Sequence, residues 1–215
     1  MGKIEVEMDG ACLFRSIAVG MFYKEFGINI GGGCEMGEEV TVKEVIHNVL
    51  SRWIRTMIVY AMFHEHTSVE TPIYHNNTFR DILDRLYIFS QKYGLKRRLS
   101  DREIRSLKRQ FLYPIRLIGN SQGNFSLCGE DKIPINIISM GGRSSDETHE
   151  RYCKRMMHLK SWGGASEIYV ASKLFHYAIY IKQGRKIVQK YIPSKIKQII
   201  HVIYSPKKEH YDAWI

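Results

Sequence analysis

Apolar positions recur at helical spacing through most of the chain and change to dense, β-branched runs only near its end. Residues 12–26 carry Leu13, Ile17 and Met21 at i, i+4, with Phe14, Ala18 and Phe22 beside them, which predicts a helix stopped by Gly27. A glycine-containing loop over 28–39 follows. Thr41 is placed to cap a second helix that runs to about Phe63, with Val45, Val49, Trp53 and Met57 as its stripe and Val42, Ile46, Leu50, Ile54 and Ile58 alongside. Phe79, Ile82, Leu83, Leu86 and Phe89 predict a third helix ending near Gly94, and Ser100 or Asp101 starts a short basic helix over 101–112. A polar loop over 119–132, an apolar strand over 133–139 and a helix over 146–159 come next. After the turn-like Trp162-Gly163-Gly164, Ser166 opens a helix through about Leu174.

The period then shortens. Residues 176–183, 186–192 and 198–205 are rich in Ile, Val and Tyr and are punctuated by Gly184, Pro193 and Pro206, so they read as successive strands, antiparallel and neighbouring. A short last strand over 210–215 completes the sheet. A helical first half and a strand-rich end define one α+β domain over residues 1–215, a mostly antiparallel sheet flanked by helices.

Composition narrows the class. With 215 residues, 44% of them apolar and 25% charged, the chain has the profile of a globular domain with a real core. It holds no apolar run long enough to span a bilayer. The first residues lack the apolar segment of a signal peptide, and Val6 stands where a myristoylation motif needs Ser or Thr. The net charge of +10 invites acidic partners without choosing among them. The strongest case for nucleic acid is the basic stretch around Arg102, Arg105 and Arg109. These residues lie opposite Ile104, Leu107 and Phe111, however, as on any amphipathic helix over a core, so nucleic acid is set aside as the main partner.

Candidate chemistry centres on cysteine. Cys12, Cys34, Cys128 and Cys153 are scattered with no C-x-x-C pair, which implies free thiols in a reducing, intracellular setting. No cysteine has metal-ligand spacing, and His64-Glu65-His66 has no companion ligands, so neither metal nor cofactor is expected. Cys12 begins the first helix after the turn-like Asp9-Gly10-Ala11. A helix N-terminus favours a thiolate, and a tight turn there aims N–H groups at a developing oxyanion. A buried structural cysteine fits the same pattern. At the other end, His210 and Asp212 are two apart and share a strand face, so Asp212 is placed to accept Nδ1–H of His210 and leave Nε2 for a thiol.

Three blocks in order resolve the choice. "DGACLFRSIA" resembles the D-G-N-C-L-F-R-A motif of the ovarian tumour (OTU) cysteine proteases. "YCKRMMHLKSWGGASEIYVASKLFHYAIYI" resembles that family's Y-x₃-M, W-G-G, E-I/L and A-x-A/S series, and the terminal "HYD" resembles its closing motif. The blocks cover residues 9–22 and 152–215, about a third of the chain. The resemblance implies a papain-like OTU fold and a deubiquitinating cysteine protease. Cys12 would be its nucleophile, His210 its base and Asp212 the orienting acid, with Asp9 shaping the turn and helping to orient His210. Gly10, Ala11 and the Cys12 N–H would line the oxyanion hole, and Trp162, Gly163 and Gly164 would wall the channel for the ubiquitin tail. Ala11 stands where the family commonly has Asn. The expected partners are ubiquitin or polyubiquitin, with a ubiquitin-like modifier as a further candidate substrate. The expected compartment is the cytoplasm, or the host cytoplasm for a viral or bacterial chain.

Overall fold

The structure is a computed structural model that describes residues 2–32, 40–65, 74–120, 146–158 and 160–215. The strand expected over 133–139 lies outside these residues, as do Cys34, Cys128 and His66. The elements are β1 (Lys3–Ile4), α1 (Cys12–Phe26), α2 (Val42–Glu65), α3 (Tyr74–Tyr93), α4 (Asp101–Asn120), α5 (His149–Met156), α6 (Ala165–Phe175), β2 (Tyr177–Gln183), β3 (Lys186–Tyr191), β4 (Gln198–Ser205) and β5 (His210–Trp214).

Helix ends follow local chemistry. Thr41 and Glu44 form a reciprocal capping box at α2, with the Thr41 N–H donating to Glu44 Oε2 (2.7 Å) and the Glu44 N–H to Thr41 Oγ1 (3.4 Å). Ser100, rather than Asp101, makes the same exchange with Glu103 at α4. Gly27 takes the left-handed conformation that ends α1, and its N–H donates to the Tyr23 carbonyl. α4 runs past the expected end at residue 112, and Leu107 and Phe111 are buried beneath exposed Arg102, Arg105 and Arg109.

The sheet is mixed and open, in the order β1-β5-β4-β2-β3. Three neighbouring pairs are antiparallel, but β2 and β4 run parallel. The expectation of three successive neighbouring antiparallel strands is therefore corrected. β3 folds back as a hairpin on one edge of β2, so β4 must return to the other edge. The two-residue β1 also escapes sequence reading, because so short a strand has no period. It exists by pairing with β5, Lys3 opposite Trp214 and Ile4 opposite Ala213.

α1 packs on β4 and β5 and is covered on its far side by α2. Every residue from Cys12 to Phe22 is buried, including Arg15 and Ser16. The single stripe read from the sequence is thus one side of a helix enclosed all round. α2 is the hub behind it, touching α3, α4, α5 and α6, and the Trp53 indole N–H donates to the Phe111 carbonyl at 2.8 Å. Among the described residues no helix is long and apolar enough to cross a membrane.

The α1–α2 contact encloses His47, whose Nε2 lies 3.3 Å from the Arg15 carbonyl oxygen. Burial, reinforced by the Arg15 charge, pushes its pKa down to about 4. The folded state thus holds His47 neutral, while the unfolded chain protonates it below about 6.5. Stability is intact above the unfolded value and falls as pH drops toward the folded one, by roughly 3 kcal/mol in all. Urea unfolding at about pH 7.5 and about pH 4.5 should therefore show a steeper acid loss for the native protein than for His47→Gln.

Candidate active site

Cys12 occupies the first position of α1, after a turn that the sequence builds in steps. Gly10 has φ +80°, and a Cβ there would sit 2.2 Å from the Lys160 carbonyl oxygen, so only glycine fits. Asp9 accepts the Ala11 N–H at 3.0 Å and is gripped by the Arg15 guanidinium, whose shortest contact is 2.6 Å. Arg15 in turn donates to Asn48 Oδ1 at 2.6 Å. These bonds are what Asp9 does in the turn, and none of them goes to His210. The Ala11 N–H is thus bonded to Asp9 in this turn. α1 has no side-chain cap, and the Cys12 N–H is among the first-turn donors that a helix cannot satisfy internally.

β5 lies directly against this helix start. The backbone N–H groups of Tyr211 and Leu13 lie close enough to the Cys12 sulfur to favour its thiolate. Tyr211 lies between His210 and Asp212, so the thiol meets the strand at that pair. His210 and Asp212 are both buried, and His210 Nε2 stands 3.0 Å from Asp212 Oδ1. With a carboxylate accepting there, the hydrogen resides on Nε2 and Nδ1 is the lone-pair nitrogen. The orientation expected from spacing is therefore reversed: Asp212 takes Nε2, and it is Nδ1 that is left over. The two-residue spacing brings the groups together but does not say which ring edge turns. Nδ1 is buried and has no hydrogen-bond partner among the described residues.

Burial also overrides the helix-end effect on the thiol. Desolvation pushes the Cys12 thiol above its ordinary pKa, against the lowering by the Tyr211 and Leu13 N–H groups, with Asp9 and Asp212 adding to the rise. Burial therefore favours the thiol over the thiolate.

Residues 161–164 close the other side. A Cβ on Gly163 would lie 2.7 Å from Leu13 Cδ2 and 3.0 Å from Phe14 Cζ, so the Trp162-Gly163-Gly164 segment rests on the first turn of α1. Trp162 is half-buried. The Gly164 N–H donates to Glu167 Oε2 at 2.7 Å, and the other Glu167 oxygen accepts the Tyr152 hydroxyl. Tyr152, Gly164 and Glu167 of the middle sequence block thus share one hydrogen-bond network.

Sequence reading missed its anchor, Arg55, because an arginine within an apolar helix carries no motif. Its buried guanidinium donates to the carbonyls of Met156 (2.9 Å), His158 (2.7 Å), Ser161 (3.0 Å) and Gly10 (3.2 Å). It also stacks 4.2 Å above the Phe14 ring. Desolvation pulls its pKa down to about 10, so it remains a cation at neutral pH. Among the described residues no cluster of side chains could hold a metal ion.

A thiol at a helix start, a buried imidazole–carboxylate pair on the strand packed beside that helix and a glycine turn next to it are the parts that a papain-like cysteine protease uses. The chain belongs to the OTU-like cysteine protease family, whose model matches residues 7–211, nearly the whole length. Comparison with curated proteins returned no match.

Three substitutions test the frame. Gly10→Ala combines a positive φ with the approach to Lys160 and should cost about 2–4 kcal/mol of unfolding free energy. Gly27→Ala, equally left-handed but with open space around its Cβ, should cost only about 1 kcal/mol. Arg55→Met keeps the volume and strips the donors from buried carbonyls, with an expected loss of about 3 kcal/mol or more. Denaturant titrations of each variant measure these differences.

Proposed function

We propose that this protein is a deubiquitinating enzyme that hydrolyses the peptide or isopeptide bond after the C-terminal glycine of ubiquitin. The observation that carries the reading is the Cys12 sulfur seated against the backbone of Tyr211, between His210 and Asp212, in a chain of this family. In the proposed reaction His210 Nδ1 takes the thiol proton as Cys12 Sγ bonds to the carbonyl carbon, and the carbonyl π pair moves onto oxygen. The oxyanion is met by the Cys12 N–H and the Gly10 N–H. Collapse breaks the C–N bond, and Nδ1 delivers its proton to the leaving lysine or α-amine. A thioester remains. Water then attacks it with His210 as base, the C–S bond breaks, and the thiolate regains the proton. Asp212 does not give up its charge. It holds Nε2–H and offsets the imidazolium that forms.

A tail ending in two glycines needs a narrow approach. The close seat of Gly163 on Leu13 and Phe14 supports a channel with half-buried Trp162 as one wall. A ubiquitin-like modifier is a second candidate substrate, and the cytoplasm is the proposed compartment. A catalytically weak ubiquitin-binding module is the second reading, favoured by the desolvated thiol and by Ala11 in the family's Asn position.

A ubiquitin probe with a C-terminal electrophile decides between them. Covalent labelling that disappears in Cys12→Ala, with turnover lowered at least 10³-fold or so in His210→Ala, is the expected result. Retained ubiquitin binding with no labelling of the native protein would leave only the module.

A further inference from the structure

Asp212 has more partners than a triad acid needs. Its side chain is 2% exposed, and Oδ1 faces both His210 Nε2 (3.0 Å) and the Val6 N–H (3.2 Å). Oδ2 is held by the Lys3 ammonium at 3.0 Å. A buried carboxylate must be paired, and Lys3 is the cation that pairs it.

The geometry follows from β1. Lys3 lies opposite Trp214 across the antiparallel β1–β5 pair, and directly opposite residues point to the same side of a sheet. Trp214, Asp212 and His210 alternate onto that side by the two-residue strand period. The Lys3 side chain therefore reaches diagonally to Asp212. Two further backbone bonds tie β1 down, from Gly2 N–H to the Ile215 carbonyl (2.5 Å) and from Ile215 N–H to the Gly2 carbonyl (3.1 Å). The hydrogen bond to Asp212 is the main cause that raises the Lys3 pKa above the ordinary lysine value, and Glu5 adds to it.

We propose that Lys3 is a positioning residue of the catalytic pair: its ammonium pins Oδ2 of Asp212, so that Oδ1 receives Nε2–H of His210 and Nδ1 is left as the base. This rests on the reading of Cys12, His210 and Asp212 as the reacting set. A carboxylate turns easily about its last torsion. Without Lys3 only the Val6 N–H fixes its rotation, and the imidazole loses a single defined partner. The N-terminal strand is then part of the active site, although it lies far from His210 in sequence.

The test uses the full chain with Lys3→Met, which keeps the stem and removes the charge, and Lys3→Arg, which restores a cation. A fluorogenic amide of the ubiquitin C-terminus gives kcat and KM. Nitrogen NMR of the His210 ring, recorded in a Cys12→Ala background without substrate, reports its tautomer. Lys3→Met should lower kcat about 10-fold, with KM within about two-fold. Lys3→Arg should recover most of that loss. The Nε2–H signature of His210 should weaken in Lys3→Met and persist in Lys3→Arg. An unchanged tautomer in Lys3→Met would overturn the proposal, as would equal losses of kcat in both variants. If the native protein turned over no ubiquitin substrate, the substrate reading would fail, and the NMR comparison would still decide the role of Lys3.

Discussion

One buried cation holds the active-site frame together. The Arg55 guanidinium is taken out of water in the middle of α2, and that burial is costly enough to pull its pKa to about 10. What offsets the cost is a ring of backbone carbonyls from Gly10, Met156, His158 and Ser161, with the Phe14 face above. A planar group with donors in a fixed fork can face several carbonyls in set directions, which a lysine ammonium cannot. The consequence is geometric. The turn that carries Cys12 and the segment that leads into Trp162 are fastened to the same side chain, so the proposed nucleophile and the proposed channel wall share one anchor. Asp9, Glu167 and Cys12 all lie near enough to favour its charge. By reciprocity, the cation favours a thiolate on Cys12 over the thiol.

Local signals in the sequence are legible where the physics is local. Thr41 before α2, Ser100 before α4 and the left-handed Gly27 act within one helical turn, so their residue types announce them, while the glutamates that complete the two caps emerge only in the structure. The α+β class and the family were legible for a related reason: strand-rich and helix-rich segments are separated along the chain, and the three blocks coincide with the bonded parts of the site. What escaped depends on contacts between distant residues. Arg55 and Lys3 each act on partners far away in sequence, Lys3 on Asp212 and Arg55 on Met156, His158 and Ser161. The parallel β2–β4 pair was hidden because a hairpin inserted between them looks, in sequence, like a continuing meander. The enclosure of α1 was hidden too, since a helix covered by α2 above and the sheet below can carry Arg15 inward, provided that Asp9 and Asn48 meet it.

The position of Ala11 can be judged on the same terms. In this turn the chain direction is set by the Ala11 N–H bonded to Asp9, by Arg15 fixing Asp9, by Asn48 fixing Arg15 and by the Gly10 carbonyl bonded to Arg55. None of these uses the side chain of residue 11, which is a buried methyl group. An asparagine there would bring an amide with two donors and an acceptor into a buried position, and a buried amide must find partners. With alanine the turn is set without that demand, and in the proposed reaction the oxyanion relies on backbone N–H groups alone. Under that proposal the departure from the family pattern concerns how strongly charge is stabilised on the substrate oxygen, because the turn that carries Cys12 does not use the side chain of residue 11.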